Sequence, residues 1–125
     1  MTEKRIILEM GTGNDLYGGD YTKAACRAVQ DALHHSSIVL FKSLGYDHRD
    51  MRVQVTIGVQ QPDKVDAAVV AATLPRGRAE VTVVFGGLDV HDPVQETTHV
   101  IATAAVAALL PIEPGAWRLS APAQG

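Results

Sequence analysis

The chain has 125 residues, 46% of them hydrophobic, and a formal net charge of −3, which suits one globular domain of ordinary size. There is no basic excess to track a phosphate backbone and only 5% aromatic residues to stack bases, so nucleic acid is not an expected partner. No apolar run is long enough to cross a bilayer, and the opening MTEKRIILEM lacks the apolar stretch of a signal peptide, so the expectation is no membrane and a cytoplasmic protein.

Ile6, Ile7 and Leu8 form a short apolar run suited to a buried strand. Gly11, Gly13, Gly18 and Gly19 then break the pattern. They predict a glycine-rich loop that turns tightly and bares its amides. Asp20 is the expected N-cap of a helix from Tyr21 to about residue 35. On that helix Tyr21, Ala25, Ala28, Val29, Ala32 and Leu33 share one face, while Lys23, Arg27 and Asp31 share another at helical spacing. Cys26 has no partner for an internal disulfide and reads as a small buried hydrophobe.

Residues 38–44 are apolar and either extend the helix or form a separate turn; 46–51 are a polar connection. Val53, Val55, Ile57 and Val59 alternate with polar residues or glycine, a strand signal. Residues 65–74 read either as a short helix capped by Asp63 or as another strand, with their alanines favouring helix. After a turn at 75–77, Ala79, Val81 and Val83 alternate in a further strand that Gly86 and Gly87 end. Asp92, Pro93 and Gln95 form a capping-box pattern. They predict a second main helix through Val100 to Leu110, where only Thr103 is polar. Residues 115–120 predict a last strand.

The expected architecture is a single α+β domain over residues 1–125. It has two layers, with about four strands in a mixed sheet and two main helices on one face, in the order β-α-β-(α)-β-α. The uncovered sheet face suits a subunit interface, so a homo-oligomer is expected, a trimer favoured.

The expected site lies where the first glycine loop meets the helix N-terminus, whose spare donors and dipole attract negative charge. Asp15, Asp20 and Lys23 are the candidate catalytic residues; Gly11, Gly13, Asn14, Thr22, Arg27, Gly86 and Gly87 are the candidate binding residues. Lys23 or Arg27 would hold an anionic or carbonyl group of a small-molecule ligand. Asp15 or Asp20 would move protons. Amides near Gly11–Gly13 and Gly86–Gly87 would stabilise developing charge. The pattern is neither the dinucleotide fingerprint, since Leu16 takes the third glycine position, nor a P-loop. No cofactor is implied, and the scattered histidines and single cysteine imply no metal. His34 and His35 read as surface histidines, with a general base the alternative; Ser36 and Ser37 read as the close of the helix, with Ser37 as a nucleophile the alternative. Two functions follow: a small-molecule enzyme of hydrolase, lyase or isomerase type, or a non-catalytic oligomeric ligand-binding or assembly protein.

The run GTGNDLYGGDYTKAACRAVQDALHHSS, with the later PDKVDAAVVAATLP and FGGL, resembles a small bacterial family known mainly as conserved hypothetical proteins. Gly11, Gly13, Asp15, Asp20, Thr22, Lys23, Arg27, Asp31, Gly86, Gly87 and Leu88 carry the resemblance. Tyr17-Gly18-Gly19 stands where relatives are expected to have His-Gly-Gln, so a histidine role in the family does not transfer. A fainter likeness of element order is to single domains of cyanuric acid hydrolase and barbiturase, and to trimeric chorismate-mutase-like proteins. It implies trimers with clefts between subunits; no Ser–Lys hydrolase motif matches.

Overall fold

A computed structural model describes residues 2–34, 51–74 and 78–112; the expectations for 35–50, for the turn at 75–77 and for a strand at 115–120 lie outside the described residues. The elements are β1 (Thr2–Asp15), α1 (Tyr21–His34), β2 (Arg52–Val59), a 3-10 turn (Pro62–Lys64), α2 (Ala67–Ala72), β3 (Arg78–Phe85), β4 (Leu88–Asp92) and β5 (Thr97–Ile112). The fold is α+β with a mixed sheet and two described helices. The sheet holds five described strands, not about four, in the order β1-β5-β2-β3 with β4 also on β5. β5 runs antiparallel to β1, β2 and β4, and β2 runs parallel to β3.

The alternating strands and the first helix form as their periods predict. Val53, Val55, Ile57 and Val59 are buried, and Val81 and Val83 pack against the same core. Tyr21, Ala25, Ala28, Val29 and Ala32 of α1 are buried too, joined by Ala24. Residues 67–72 are a helix, the crossover between two parallel strands. Its N-cap is Asp66 rather than Asp63: Asp66 accepts from the amides of Ala68 and Val69. Asp63 sits in the 3-10 turn.

The second main helix does not exist. Residues 97–112 are β5, the strand that pairs with β1 on one edge and with β2 and β4 on the other. Val100, Ala102, Ala104, Val106, Ala108 and Leu110 point into the core. Their period of two is masked in the sequence because Ile101, Ala105, Ala107 and Leu109, on the opposite face, are apolar as well. Asp92 does cap, but it caps the hairpin turn before β5, accepting from the amides of Val94 and Gln95; Glu96 completes that turn with a φ of 52°.

Gly11 and Gly13 lie inside β1, not in a loop. They pair with Ala104 and Ala102 of β5. Any side chain at either position would run into the backbone of α1, at Ala28 and Ala32 for Gly11 and at Ala24 and Ala28 for Gly13. Two glycines and a stripe of alanines therefore let the helix axis come down onto the sheet. The opposite sheet face has no described helix over it and carries Leu8, Met10, Val84, Leu88 and Val90 as exposed apolar side chains.

Candidate functional site

β1 ends at Asp15 and the chain turns through residues 16–20 into α1. Asp15 is buried, and its Oδ2 accepts from the Asp20 amide at 2.8 Å. Gly18 follows closely because a Cβ there would sit 2.9 Å from that oxygen. Asp20 is the helix cap: its Oδ1 accepts from the Lys23 amide at 3.0 Å, and its carbonyl accepts from the Ala24 amide. Arg27, one turn further on, donates from Nη1 to the Asn14 carbonyl at 2.6 Å and stands 3.6 Å from Asp15.

These groups line one open pocket of about 510 Å³ formed by Asp15, Leu16, Tyr17, Gly18, Asp20, Lys23 and Arg27. The structure thus gathers four of the ten predicted site residues: Asp15, Asp20, Lys23 and Arg27. Lys23 makes no ion pair among the described residues. The other six are elsewhere. Asn14 contributes its carbonyl to Arg27, and its side chain points to solvent. Thr22 is turned to the 3-10 turn, its hydroxyl accepting from the Asp66 amide at 2.9 Å. Gly11, Gly13, Gly86 and Gly87 do not line this pocket.

Nor are the amides of Gly11, Gly13 and Gly86 bare, as the sequence predicts them to be. The Thr12 amide turns outward to Asp31 Oδ2 at 2.9 Å, so the alternation of the strand turns the Gly11 and Gly13 amides inward, to β5. Arg27 and Asp31 thus satisfy two outward groups of β1, the Asn14 carbonyl and the Thr12 amide, near the end of that edge. The Gly86 amide donates to the Val59 carbonyl at 2.9 Å. Gly86 and Gly87 carry the chain from β3 across the end of β2 to β5. There Gly86 packs so closely on Gly58 that an added Cβ would sit 3.2 Å from the Gly58 Cα. Gln60 holds the crossing by donating to the Gly86 and Gly87 carbonyls.

Sequence reasoning missed one polar cluster. Tyr21 donates its hydroxyl hydrogen to Asp89 Oδ2 and accepts from Gln61 Nε2 at 2.9 Å. The Lys64 ammonium lies 5.9 Å from the ring centroid. Burial, then the hydrogen bond and charge of Asp89, raise the phenol pKa. The available signal was Tyr21 on an apolar stripe, since a buried phenol needs a partner for its oxygen. Cys26 behaves as a small hydrophobe: burial, then the charge of Asp20, raises its thiol pKa.

Among the described residues no three His, Cys, Asp or Glu side chains are placed to hold a metal ion, and no helix is long and apolar enough to cross a membrane.

A family model described as a conserved hypothetical protein, Lin0512_fam, matches residues 5–108. The chain is also similar to a crystal structure of an FtsZ-like protein of unknown function from Nostoc punctiforme. The two are 36% identical, the match covers 88% of this chain and 98% of that one, and the TM-score is 0.77. No curated protein matches. The fainter likenesses to cyanuric acid hydrolase, barbiturase and chorismate-mutase-like proteins are not confirmed by these findings.

Proposed function

The chain belongs to the Lin0512 family of conserved hypothetical proteins, and we propose that it binds a small polar molecule in the pocket at the start of α1. One observation carries the reading: Asp15, Asp20, Lys23 and Arg27 line a single pocket, and Lys23 has no neutralising partner among the described residues. Asp15 and Arg27 are committed to the Asp20 amide and the Asn14 carbonyl. That leaves the Lys23 ammonium to meet an anionic or carbonyl oxygen, and the carboxylate of Asp20 to accept a hydrogen bond from the same ligand. An enzyme of hydrolase, lyase or isomerase type would draw on Asp20 for proton transfer and Lys23 for charge. It would do so without amides of Gly11, Gly13 or Gly86, which are engaged within the sheet.

The test is a thermal-shift screen of the purified chain against carboxylate and carbonyl metabolites, repeated with Lys23→Ala. Hits on the wild type that vanish in the variant support the reading. A screen without hits, or hits indifferent to Lys23, would sink it.

A second reading, non-catalytic assembly, is favoured by a different observation. The sheet face away from the helices exposes Leu8, Met10, Val84, Leu88 and Val90, and apolar exposure gathered on one face suits a contact surface. A homo-oligomer, a trimer favoured, would bury that face. Sedimentation equilibrium of the wild type beside Met10→Glu tests it: concentration-dependent association in the first and its loss in the second are the expected results.

A further inference from the structure

The pocket at the start of α1 carries two acids and two bases, and their placement narrows its ligand. Resting on the reading above that this pocket binds a small polar molecule, we propose that the ligand is a zwitterionic α-amino acid with an apolar side chain.

The acid half gives the strongest observation. The Asp15 side chain is only 9% exposed, yet it lines the pocket. Its Oδ2 accepts from the Asp20 amide at 2.8 Å. Its Oδ1 accepts no hydrogen bond from a described residue; it meets Arg27 Nη1 at 3.6 Å, beyond hydrogen-bond distance. A buried carboxylate oxygen short of a donor is costly, and a ligand ammonium supplies that donor. The amide contact also brings Asp20 alongside. Asp20 spends Oδ1 on the Lys23 amide, and its Oδ2 accepts from no described residue. The ammonium therefore meets two carboxylates.

The bases follow along α1. Lys23 makes no ion pair among the described residues, and the Arg27 side chain is 49% exposed. They stand about one and two helical turns beyond Asp20, so a ligand carboxylate meets positive charge beside the acids. This balance disfavours simpler ligands. Two carboxylates repel a phosphate or dicarboxylate, and two cations repel a metal ion or a bare amine. A molecule with both signs meets an opposite charge at each end, and an α-amino acid carries both at about pH 7. The remaining wall is apolar. Leu16 is 47% and Tyr17 68% exposed, and the Tyr17 ring lies tilted against that of His99, 5.7 Å between centroids. That wall suits an aliphatic or aromatic side chain, and about 510 Å³ holds a molecule of that size.

Isothermal titration of the full chain at about pH 7 compares four probes. L-Phenylalanine has both charges and a ring. Hydrocinnamate lacks the ammonium, phenethylamine the carboxylate and L-alanine the ring. Phenylalanine should bind saturably and each of the others about 10-fold or more weakly, the loss expected for one charged hydrogen bond or one buried ring. Asp20→Asn keeps a good N-cap, so the helix start is retained. It should weaken phenylalanine about 3- to 10-fold and leave hydrocinnamate unchanged. Asp15→Asn should act in the same way, with circular dichroism to show that it folds; if it does not fold, Asp20→Asn carries the test. Lys23→Gln should weaken phenylalanine and hydrocinnamate alike. Equal binding of phenylalanine and hydrocinnamate would overturn this proposal and leave the Lys23 reading intact. Phenylalanine binding indifferent to Asp20→Asn would also overturn it. So would no binding of either carboxylate, and the metabolite screen with Lys23→Ala then judges the broader reading on its own.

Discussion

Two glycine pairs, Gly11 with Gly13 and Gly86 with Gly87, look alike in the sequence and do different work. Gly11 and Gly13 are ordinary strand residues whose lack of a side chain sets the distance between sheet and helix. They face Ala24, Ala28 and Ala32, and nothing but hydrogen fits between. Gly86 and Gly87 instead let one chain pass over another. Gly87 has a φ of 61°, and a Cβ there would meet the Ile101 carbonyl as well as the Gly58 carbonyl. The first pair concerns packing volume, the second backbone conformation and crossing. The amides of Gly11, Gly13 and Gly86 are engaged within the sheet and form no oxyanion hole.

Substitutions can break this contrast in a graded way. Gly13→Ala should be the most damaging, because the added methyl meets helix backbone that cannot rotate away. A loss of about 3 kcal/mol or more, or failure to fold, is expected from chemical denaturation. Gly87→Ala combines left-handed strain with a carbonyl contact, and about 2–3 kcal/mol is expected. If it proves harmless, the crossing is not as tight as described.

Tyr21→Phe sharpens the comparison from the other side of the crossing, since Asp89 follows Gly86-Gly87 and docks on Tyr21. Removing the hydroxyl leaves a part-buried carboxylate short of a donor and should cost about 1–3 kcal/mol. It should also change the alkaline limb. The folded phenol pKa is raised above its ordinary value of 10.0. Its contribution is therefore complete below about pH 10 and declines as pH rises from there through the folded value. Wild type should lose stability more steeply than the variant in that range. An identical slope in both would mean that folding does not raise the phenol pKa.

Gly19→Ala is the mildest case. Gly19 has a φ of 60° with nothing within 4 Å of the added carbon, so only the conformational cost of about 1–2 kcal/mol applies, with no clash. Finding it as severe as Gly13→Ala would erase the distinction between strain and volume.

Much of the candidate site was legible because it is local. Asp20 caps α1, and Lys23 and Arg27 follow within two turns, so their neighbourhood is dictated by helical geometry over a few residues. Asp15 joins them because the turn that follows it is short. Thr22 departs from the site although it adjoins Lys23: one step along a helix rotates it to the 3-10 turn, which no local signal announces. Tyr21 and Asp89 are 68 residues apart, and no spacing rule connects them.

The chain's own pattern determined α1, β2 and β3, where the alternation or helical period of apolar side chains records which face is buried. Only tertiary structure decided the fate of residues 97–112. Their alanines and leucines favour a helix in isolation, and their uniformly apolar character conceals a period of two. Pairing with β1 on one edge and with β2 and β4 on the other engages the backbone of β5 along both edges. Those long-range hydrogen bonds, with the burial they bring, outweigh a local preference of a few tenths of a kcal/mol per residue.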